Sequence, residues 1–289
     1  MSAPRATAPA RLPRTVLRLH RAALIAWGAF VAGVAAWLVW LNEITVDGVR
    51  TALAGCSRGP GICVDFLEAL DYSEPTGYAG TLVRYSFLGV AAFAGGALIG
   101  RELESGTARL AWTQGVTPTR WLAAKLAVPA VVLVLGGGAL VLVFRWGWAA
   151  NRDLMGDNWA FADVFVARGP ATVAYALCAL AAGTLTALLL GRALPALAVS
   201  VAATGLLSLV LEHGRDALWP AVTRTSPAPF EPPGDAWQLA RGRTGTGHYA
   251  TYHPASHFWP LHLVETGIVL AVAVLATAAA FAVLRRRTA

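Results

Sequence analysis

Lysine is almost absent from this chain. The 289 residues include 23 basic side chains, and Lys125 is the only lysine among them. A phosphate-binding P-loop needs a lysine in the pattern Gly-x-x-x-x-Gly-Lys-Ser/Thr, whereas Lys125 lies in Ala-Ala-Lys-Leu. The chain therefore cannot be its own ATPase of that class.

Charge of either sign is also scarce. Charged residues make up 13% of the chain and hydrophobic residues 56%, and the mean hydropathy is +0.56. These values lie outside the range of an ordinary soluble domain and indicate a multi-pass membrane protein in contact with membrane lipid. The net charge of +7 does not indicate a nucleic-acid partner, because the basic residues are divided among short loops.

Recognisable catalytic and metal-binding patterns are few. The chain has no His-Glu-x-x-His sequence and no pair of carboxylates inside its apolar runs, which disfavours a multi-pass membrane enzyme. Four histidines lie between residues 248 and 262, but prolines interrupt their spacing and no carboxylate is interleaved. We therefore predict no metal and no cofactor, and we expect segment 212–260 to be an aromatic-capped re-entrant or surface segment.

Six apolar runs are long enough to cross a bilayer. They predict an all-α polytopic protein with a single six-span transmembrane domain over 22–289. Residues 1–21 are expected to form a tail with an amphipathic interfacial helix, or simply the basic flank of the first span. The predicted spans are about 22–41, 81–100, 121–144, 170–190, 194–211 and 261–284.

The distribution of basic residues assigns the two sides of the membrane. With the N-terminus inside, thirteen of the 23 basic residues fall on inner segments, which are shorter than the outer ones. This bias predicts that both termini are cytoplasmic and that the chain lies in the cell membrane.

Residues 100–125, which we call the polar loop, separate the second and third apolar runs. Ser105-Gly106-Thr107 supplies a helix stop, because glycine tolerates the left-handed conformation that ends helices. A short helix over about 107–114 should follow, and Thr117 and Pro118 are a good N-cap and first helical residue for the next span. The predicted order is span, tight turn, short cytoplasmic helix, span.

The polar loop resembles the loop between the second and third spans of ABC-2 type transporter permeases, in particular the actinobacterial ones. The resemblance lies in Arg-Glu-Leu-Glu-x-Gly-Thr-x-x-Leu-x-Trp-Thr-Gln-x-Val over 101–116 and Arg-Trp-Leu-x-x-Lys over 120–125. The segment 254–260 with Glu265 after it is similar to the same family, as is a cysteine pair in the first outer loop. One departure is His257, where the family pattern leads us to expect arginine.

The resemblance implies a six-span permease subunit, not an enzyme, that pairs with a second permease half and with a separate ATP-hydrolysing subunit. The polar loop would be the coupling element that contacts the ATPase, through a charged contact or its supporting network, a turn, and residues that hold the short helix. An alternative is that the tryptophans and Arg120 only anchor helices at the membrane interface. The implied coupling residues are Arg101, Glu102, Glu104, Gly106, Thr107, Trp112, Gln114, Arg120 and Trp121.

The same resemblance implies a translocation path along the second and fifth spans. Small and hydroxyl-bearing residues of these two spans are the candidates to line it. Glu265 is a further candidate, because an ionisable group at membrane depth is costly, although an interfacial structural role also fits its position near a helix end. The near absence of charge in mid-span favours an apolar or amphipathic cargo over small ions, and the resemblance to related exporters implies export. The path candidates are Gly95, Gly96, Ser200, Thr204, Ser208 and Glu265.

Two questions stay open at this stage. Cys56 and Cys63 lie in an outer segment where a disulfide can persist, and both a disulfide and two free thiols fit the sequence. A membrane protein that binds an ATPase for immunity or signalling, without transport, would carry the same coupling loop.

Overall fold

Six long helices form the body of the molecule. The computed structural model describes residues 17–56, 65–155, 159–245 and 247–288. Each of the six helices is long and apolar enough to cross a membrane, which confirms the predicted number of spans. We name them spans 1 to 6, and they cover Arg21–Gly55, Ala69–Glu104, Pro118–Ala150, Ala171–Leu190, Ala193–His213 and Ala255–Thr288.

Several helices extend beyond the apolar runs that predicted them, and two contain π-helical segments. Span 1 consists of α-helix Arg21–Trp40, π-helix Leu41–Thr45 and α-helix Val46–Cys56. Span 2 belongs to α-helix Asp65–Ala92, π-helix Phe93–Gly100 and α-helix Arg101–Glu104. The remaining α-helices are Thr107–Thr113, Pro118–Ala150, Ala162–Ala167, Ala171–Leu190, Ala193–His213 and Phe258–Thr288, and the 3-10 turns are Arg152–Leu154, Arg215–Leu218 and Ala255–His257.

Span 4 lies at the centre of the bundle. It packs against spans 2, 3, 5 and 6, and 61% of the residues in its most apolar 18-residue stretch are buried. Seven of its 20 residues are alanine and one is glycine, and small residues let membrane helices approach closely. At Gly183 the approach is so close that a Cβ atom would lie 2.7 Å from the Cβ of Ala94. The core therefore depends on backbone proximity as much as on large side chains.

The polar loop lies at one end of the bundle, which we call the loop end. His20, just before span 1, lies there, since its Nε2 is 2.8 Å from the Nζ of Lys125. The last turn of span 6 lies there too, where Arg287 Nη2 donates a 2.9 Å hydrogen bond to the carbonyl of Leu189. Both described ends of the chain thus share one end of the bundle, as an even number of spans requires. Its assignment to the cytoplasm stays a prediction.

A three-stranded antiparallel sheet, which the sequence analysis did not predict, lies in the segment between spans 5 and 6. Strands β1 (Val222–Ser226), β2 (Trp237–Thr244) and β3 (Gly247–His253) pair in the order β1-β3-β2. Ala250 of the central strand is 1% exposed and, with Tyr252, forms a small core of its own. We call this end of the molecule the sheet end.

Two predictions fall on parts of the chain that are not described. The tail and most of its amphipathic helix lie within residues 1–16, and Cys63 and the side chain of Cys56 also lie outside the described residues. The interfacial helix and the disulfide therefore stay predictions. Cys178 is a buried free thiol in span 4.

Candidate functional site

The polar loop turns twice at glycines. Gly106 has φ of 75°, in the left-handed region, and directly precedes the helix Thr107–Thr113. Gly115 follows that helix with φ of 90°. Span 3 then begins at Pro118, where the Thr117 hydroxyl caps the helix by accepting a 3.4 Å hydrogen bond from the Arg120 amide. The structure therefore contains the short helix, the turn and the helix start that the sequence predicted.

Glu102 points into the bundle. Its Oε1 lies 2.5 Å from the Nζ of Lys125 in span 3, and its Oε2 accepts a 3.3 Å hydrogen bond from the Trp121 indole. The Lys125 and Glu102 side chains are only 4% and 15% exposed. A buried carboxylate needs such a partner, because an unpaired charge away from water is costly. Glu102 consequently belongs to the network that supports the loop, and its side chain is not a free contact for a partner.

Glu104 joins the polar loop to span 5. Its Oε2 accepts a 2.9 Å hydrogen bond from the backbone amide of Ala193, the first residue of that helix. A carboxylate at a helix N-terminus is favourable, because the amides there lack partners and carry partial positive charge. The tight turn between spans 4 and 5 is thereby fastened to the loop.

Two tryptophans hold the short helix against span 3. The rings of Trp112 and Trp121 meet edge to face with centroids 5.7 Å apart, and Trp121 is 5% exposed. Ala108 on the same short helix is fully buried. Thr107 donates a 3.3 Å hydrogen bond to the Glu102 carbonyl, which closes the turn. Ala108, Trp112 and Trp121 act as anchors, because their side chains are partly or wholly covered by the chain itself.

The opposite side of the short helix is open. Arg109, Leu110, Thr113 and Gln114 are all exposed, and we call them the loop face. Residues three and four apart on a helix are neighbours, so these four side chains form one surface. Leu110 is 58% exposed, while Arg101 and Arg120 are exposed on the flanking helices. The loop thus exposes an apolar side chain and nearby cations, while its inner side is fixed by contacts with spans 3 and 5.

The sequence of this chain matches a known protein family. A family model described as ABC-2 membrane transporter related matches residues 28–214, well over half of the chain. The chain belongs to this family. No curated protein and no solved structure matches it. It is a multi-pass membrane permease of ABC-2 type, as the polar loop predicted.

The predicted path residues of this permease lie in a close contact between spans 2 and 5. Ser200 is fully buried and donates a 2.9 Å hydrogen bond to the Ala91 carbonyl. A Cβ atom at Gly95 would lie 2.7 Å from the Ser200 hydroxyl, so glycine is what permits the approach. Gly96 faces Leu197 of span 5 in the same way. The structure brings these residues together as a packing interface, and their role in a path stays a prediction.

Thr204 and Ser208 continue the buried face of span 5 toward the sheet end. Thr204 is 3% exposed and donates a 2.7 Å hydrogen bond to the Ser200 carbonyl, and Ser208 is 5% exposed. Beyond them, Arg84 of span 2 forms an ion pair with Glu212 of span 5. Spans 2 and 5 of the permease are therefore joined along their length.

Glu265 lies at the centre of a buried polar cluster at the sheet end. It is fully buried and pairs with Arg215, whose Nε and Nη2 lie 2.7 Å and 3.2 Å from the two carboxylate oxygens. Tyr175 of span 4 donates a further 2.9 Å hydrogen bond to Oε1. The Arg215 guanidinium also lies 4.1 Å from the centroid of the Phe165 ring. Sequence analysis singled out Glu265 but not its partners, which come from three other elements.

His262 lies beside this cluster. The sequence singled it out only as one of four histidines in a disfavoured metal site. Its Nε2 accepts a 3.1 Å hydrogen bond from the Ala171 amide, and it is fully buried. His253 and His257 contact each other instead, with their Nδ1 atoms 3.0 Å apart. Within the part of the chain that the structure describes, no group of three or more His, Cys, Asp or Glu side chains could hold a metal ion.

Proposed function

We propose that this permease is the membrane subunit of an exporter that is driven by a separate ATP-hydrolysing subunit and that pairs with a second permease half. Family membership supports an ABC ATPase as the partner. The missing P-loop supports hydrolysis on another chain. The scarcity of charge within the spans supports an apolar or amphipathic cargo.

The observation that carries this proposal is the contrast between the two sides of the short helix Thr107–Thr113. Its inner side is fixed by Ala108 and Trp112, while the loop face leaves Arg109 and Leu110 exposed. A rigid helix with an exposed apolar side chain among cations suits docking into a groove on a soluble partner. Such a helix would also pass on a push without deforming.

The contacts of the loop define where such a push would go. Glu102 connects it to span 3 through Lys125, and Glu104 connects it to span 5 through Ala193. When two ATPase subunits approach each other on binding ATP, the short helix would shift, and both spans would move with it. The sheet end would then open as the two permease halves rock.

Affinity purification of the tagged chain from its own host membranes tests this proposal. We expect a soluble P-loop ATPase to copurify with the wild-type chain at roughly equal stoichiometry. Arg109→Glu combined with Leu110→Asp should abolish this recovery, because both changes fall on the loop face. The control is Arg243→Glu, which reverses an exposed charge on strand β2 at the opposite end.

Two outcomes would contradict the proposed ATPase contact. Equal recovery from the loop-face variant and from the control would contradict docking through this surface. A wild-type chain that purifies alone in several mild detergents would contradict the coupling assignment as a whole. Size-exclusion profiles of all three proteins establish that a lost partner does not reflect an unfolded permease.

A further inference from the structure

An apolar cleft of about 530 Å³ lies between spans 1, 2 and 3. It lies where the first helix of span 1, Arg21–Trp40, packs along span 3 and makes less contact with span 2, whereas the second half of span 1 packs against span 2. Its walls include Trp27 and Phe30 of span 1, Leu82 and Phe93 of span 2, and Val132 of span 3. The volume falls within the range typical of small-ligand sites.

The cleft is open on the side that faces lipid. Leu82 and Tyr85 line it and are 47% and 39% exposed, and the exposed side chains of a membrane span face the bilayer. Gly89, in the middle of this wall, has no atom within 4 Å of the position that a Cβ atom would take. The described chain does not fill this space.

The length of the cleft matches one leaflet of the bilayer. Along span 2 its lining runs from Thr81 to Phe93, about 18 Å of helix at 1.5 Å per residue. Along span 1 it runs from His20 to Phe30, about 15 Å. Half of the hydrocarbon core is also about 15 Å thick. Because His20 lies at the loop end, the cleft reaches from that surface toward the middle of the membrane.

Two arginines lie close in sequence to His20, the cleft residue at the loop end. Arg18 and Arg21 flank His20 in sequence, and both are exposed. Glu102, an acidic group close enough to act on His20, already pairs with Lys125. Among the described residues of span 1, the first acidic side chain is Glu43, in the opposite half of the helix. A negatively charged group would therefore be attracted to this end of the cleft.

We propose that the cleft binds an acyl chain of an anionic phospholipid from the leaflet at the loop end, with the lipid phosphate beside Arg18 and Arg21. The apolar walls take the chain, and the two arginines select the headgroup by charge. This site is separate from the loop face and from the contact between spans 2 and 5. It holds whether or not the permease transports a lipid.

Native mass spectrometry of the purified full-length permease tests the proposal. The probe is an equimolar mixture of phosphatidylglycerol and phosphatidylethanolamine in mild detergent. We expect the wild-type chain to retain phosphatidylglycerol preferentially and Gly89→Phe to lose it, because the new ring occupies the cleft. The control is Gly28→Phe, since Gly28 is on span 1, does not line the cleft and also has no atom within 4 Å.

A second pair of variants tests the headgroup and does not depend on filling the cleft. Removing Arg18 and Arg21 together with glutamine substitutions should lower the preference for phosphatidylglycerol by roughly fivefold for each arginine. The control replaces Arg285 and Arg286 with glutamine; both are exposed and lie in the last turn of span 6, also at the loop end. Equal lipid retention by the two phenylalanine variants, or an unchanged preference without Arg18 and Arg21, would overturn the proposal. So would disulfide-linked dimers of a Leu82→Cys variant in native membranes, because a second copy would then cover the cleft.

Discussion

The ion pair between Glu265 and Arg215 offers the sharpest test of how the sheet end is held together. Glu265 is fully buried and Arg215 is 3% exposed, and the carboxylate accepts two hydrogen bonds from Arg215 and one from Tyr175. Glu265→Gln keeps the size and shape of the side chain but removes its charge. Arg215 would then keep a buried positive charge without a counterion.

The size of the effect follows from this burial. Breaking a buried ion pair on one side costs about 3–5 kcal/mol, because the remaining charge is uncompensated. For a chain of this size, each kcal/mol corresponds to about 2–4 °C in melting temperature. We therefore expect Glu265→Gln to melt roughly 6–20 °C below the wild-type protein. The double variant Glu265→Leu/Arg215→Met should recover much of this loss, since it leaves no buried charge.

Thermal unfolding in one detergent, followed by tryptophan fluorescence, measures these differences. The control is Glu231→Gln, because Glu231 pairs with Arg241 at 3.9 Å and both side chains are more than half exposed. Exposed pairs contribute little, so this variant should melt within a few degrees of the wild type. If Glu265→Gln behaves like Glu231→Gln, the buried pair does not hold the sheet end and the reasoning is refuted.

Three further predictions concern the loop end and the helix contacts. Lys125→Met should destabilise the permease by about 1–3 kcal/mol and reduce ATPase recovery, because it leaves the Glu102 carboxylate without its cation; unchanged recovery would contradict the supporting role. Gly95→Ala should cost about 1–3 kcal/mol, since its Cβ would lie 2.8 Å from the Ala196 carbonyl oxygen, whereas Gly33→Ala, in open space, should be neutral or stabilising; equal melting temperatures would show that the contact can relax. Burial and the charge of Lys125 lower the pKa of His20 from 6.5 to about 4, so the unfolded chain binds more protons between these values and stability should fall as the pH drops below about 6.5. His20→Gln should lose this pH dependence of the melting temperature, and a variant with the same pH profile as the wild type would show that His20 is not the titrating group.

The sequence predicted the bundle and the polar loop because local signals determine both. Each span is an apolar run of sufficient length, and Gly106, Thr117 and Pro118 mark helix ends through their own backbone preferences. The boundaries were less accurate, since span 2 belongs to a helix that begins at Asp65, well before the apolar run at residue 81. Polar residues continue that helix, and hydropathy alone does not distinguish them from a loop.

The three strands were missed for a different reason. Segment 212–260 is rich in proline and glycine, which favour turns and disfavour strands, so the short runs between them were not predicted to be strands. A hairpin signal was nevertheless present. The stretches Trp237–Thr244 and Gly247–His253 carry aromatic or β-branched residues, and a glycine, Gly245, lies between them. Counting such residues would have favoured β3, which has Tyr249, Thr251 and Tyr252, but not β2, where only Trp237 and Thr244 are of these types.

Partners distant in sequence could not be predicted at all. Glu102 and Lys125 are 23 positions apart, and Arg215 and Glu265 are 50 apart. A single sequence identifies a costly buried charge but does not say which cation neutralises it, because the pairing depends on how the helices pack. The charge of Glu102 therefore suggested a surface contact as readily as the internal support that the structure shows.

The distribution of these contacts suggests which spans would move together. Spans 2 and 5 are joined at three levels, by Glu104 and Ala193 at the loop end, by Ser200 and Ala91 inside the bundle, and by the ion pair of Arg84 with Glu212 farther from the loop end. Span 1 contacts span 2 in its second half, where Tyr72 donates a 2.7 Å hydrogen bond to the Asn42 side chain, but the apolar cleft separates the two spans nearer the loop end. A displacement of the loop would therefore reach the sheet end through spans 2 and 5, while the loop-end half of span 1 could remain with span 3. A lipid chain in the cleft would lie on the boundary between these two groups, where its presence would affect how easily they separate.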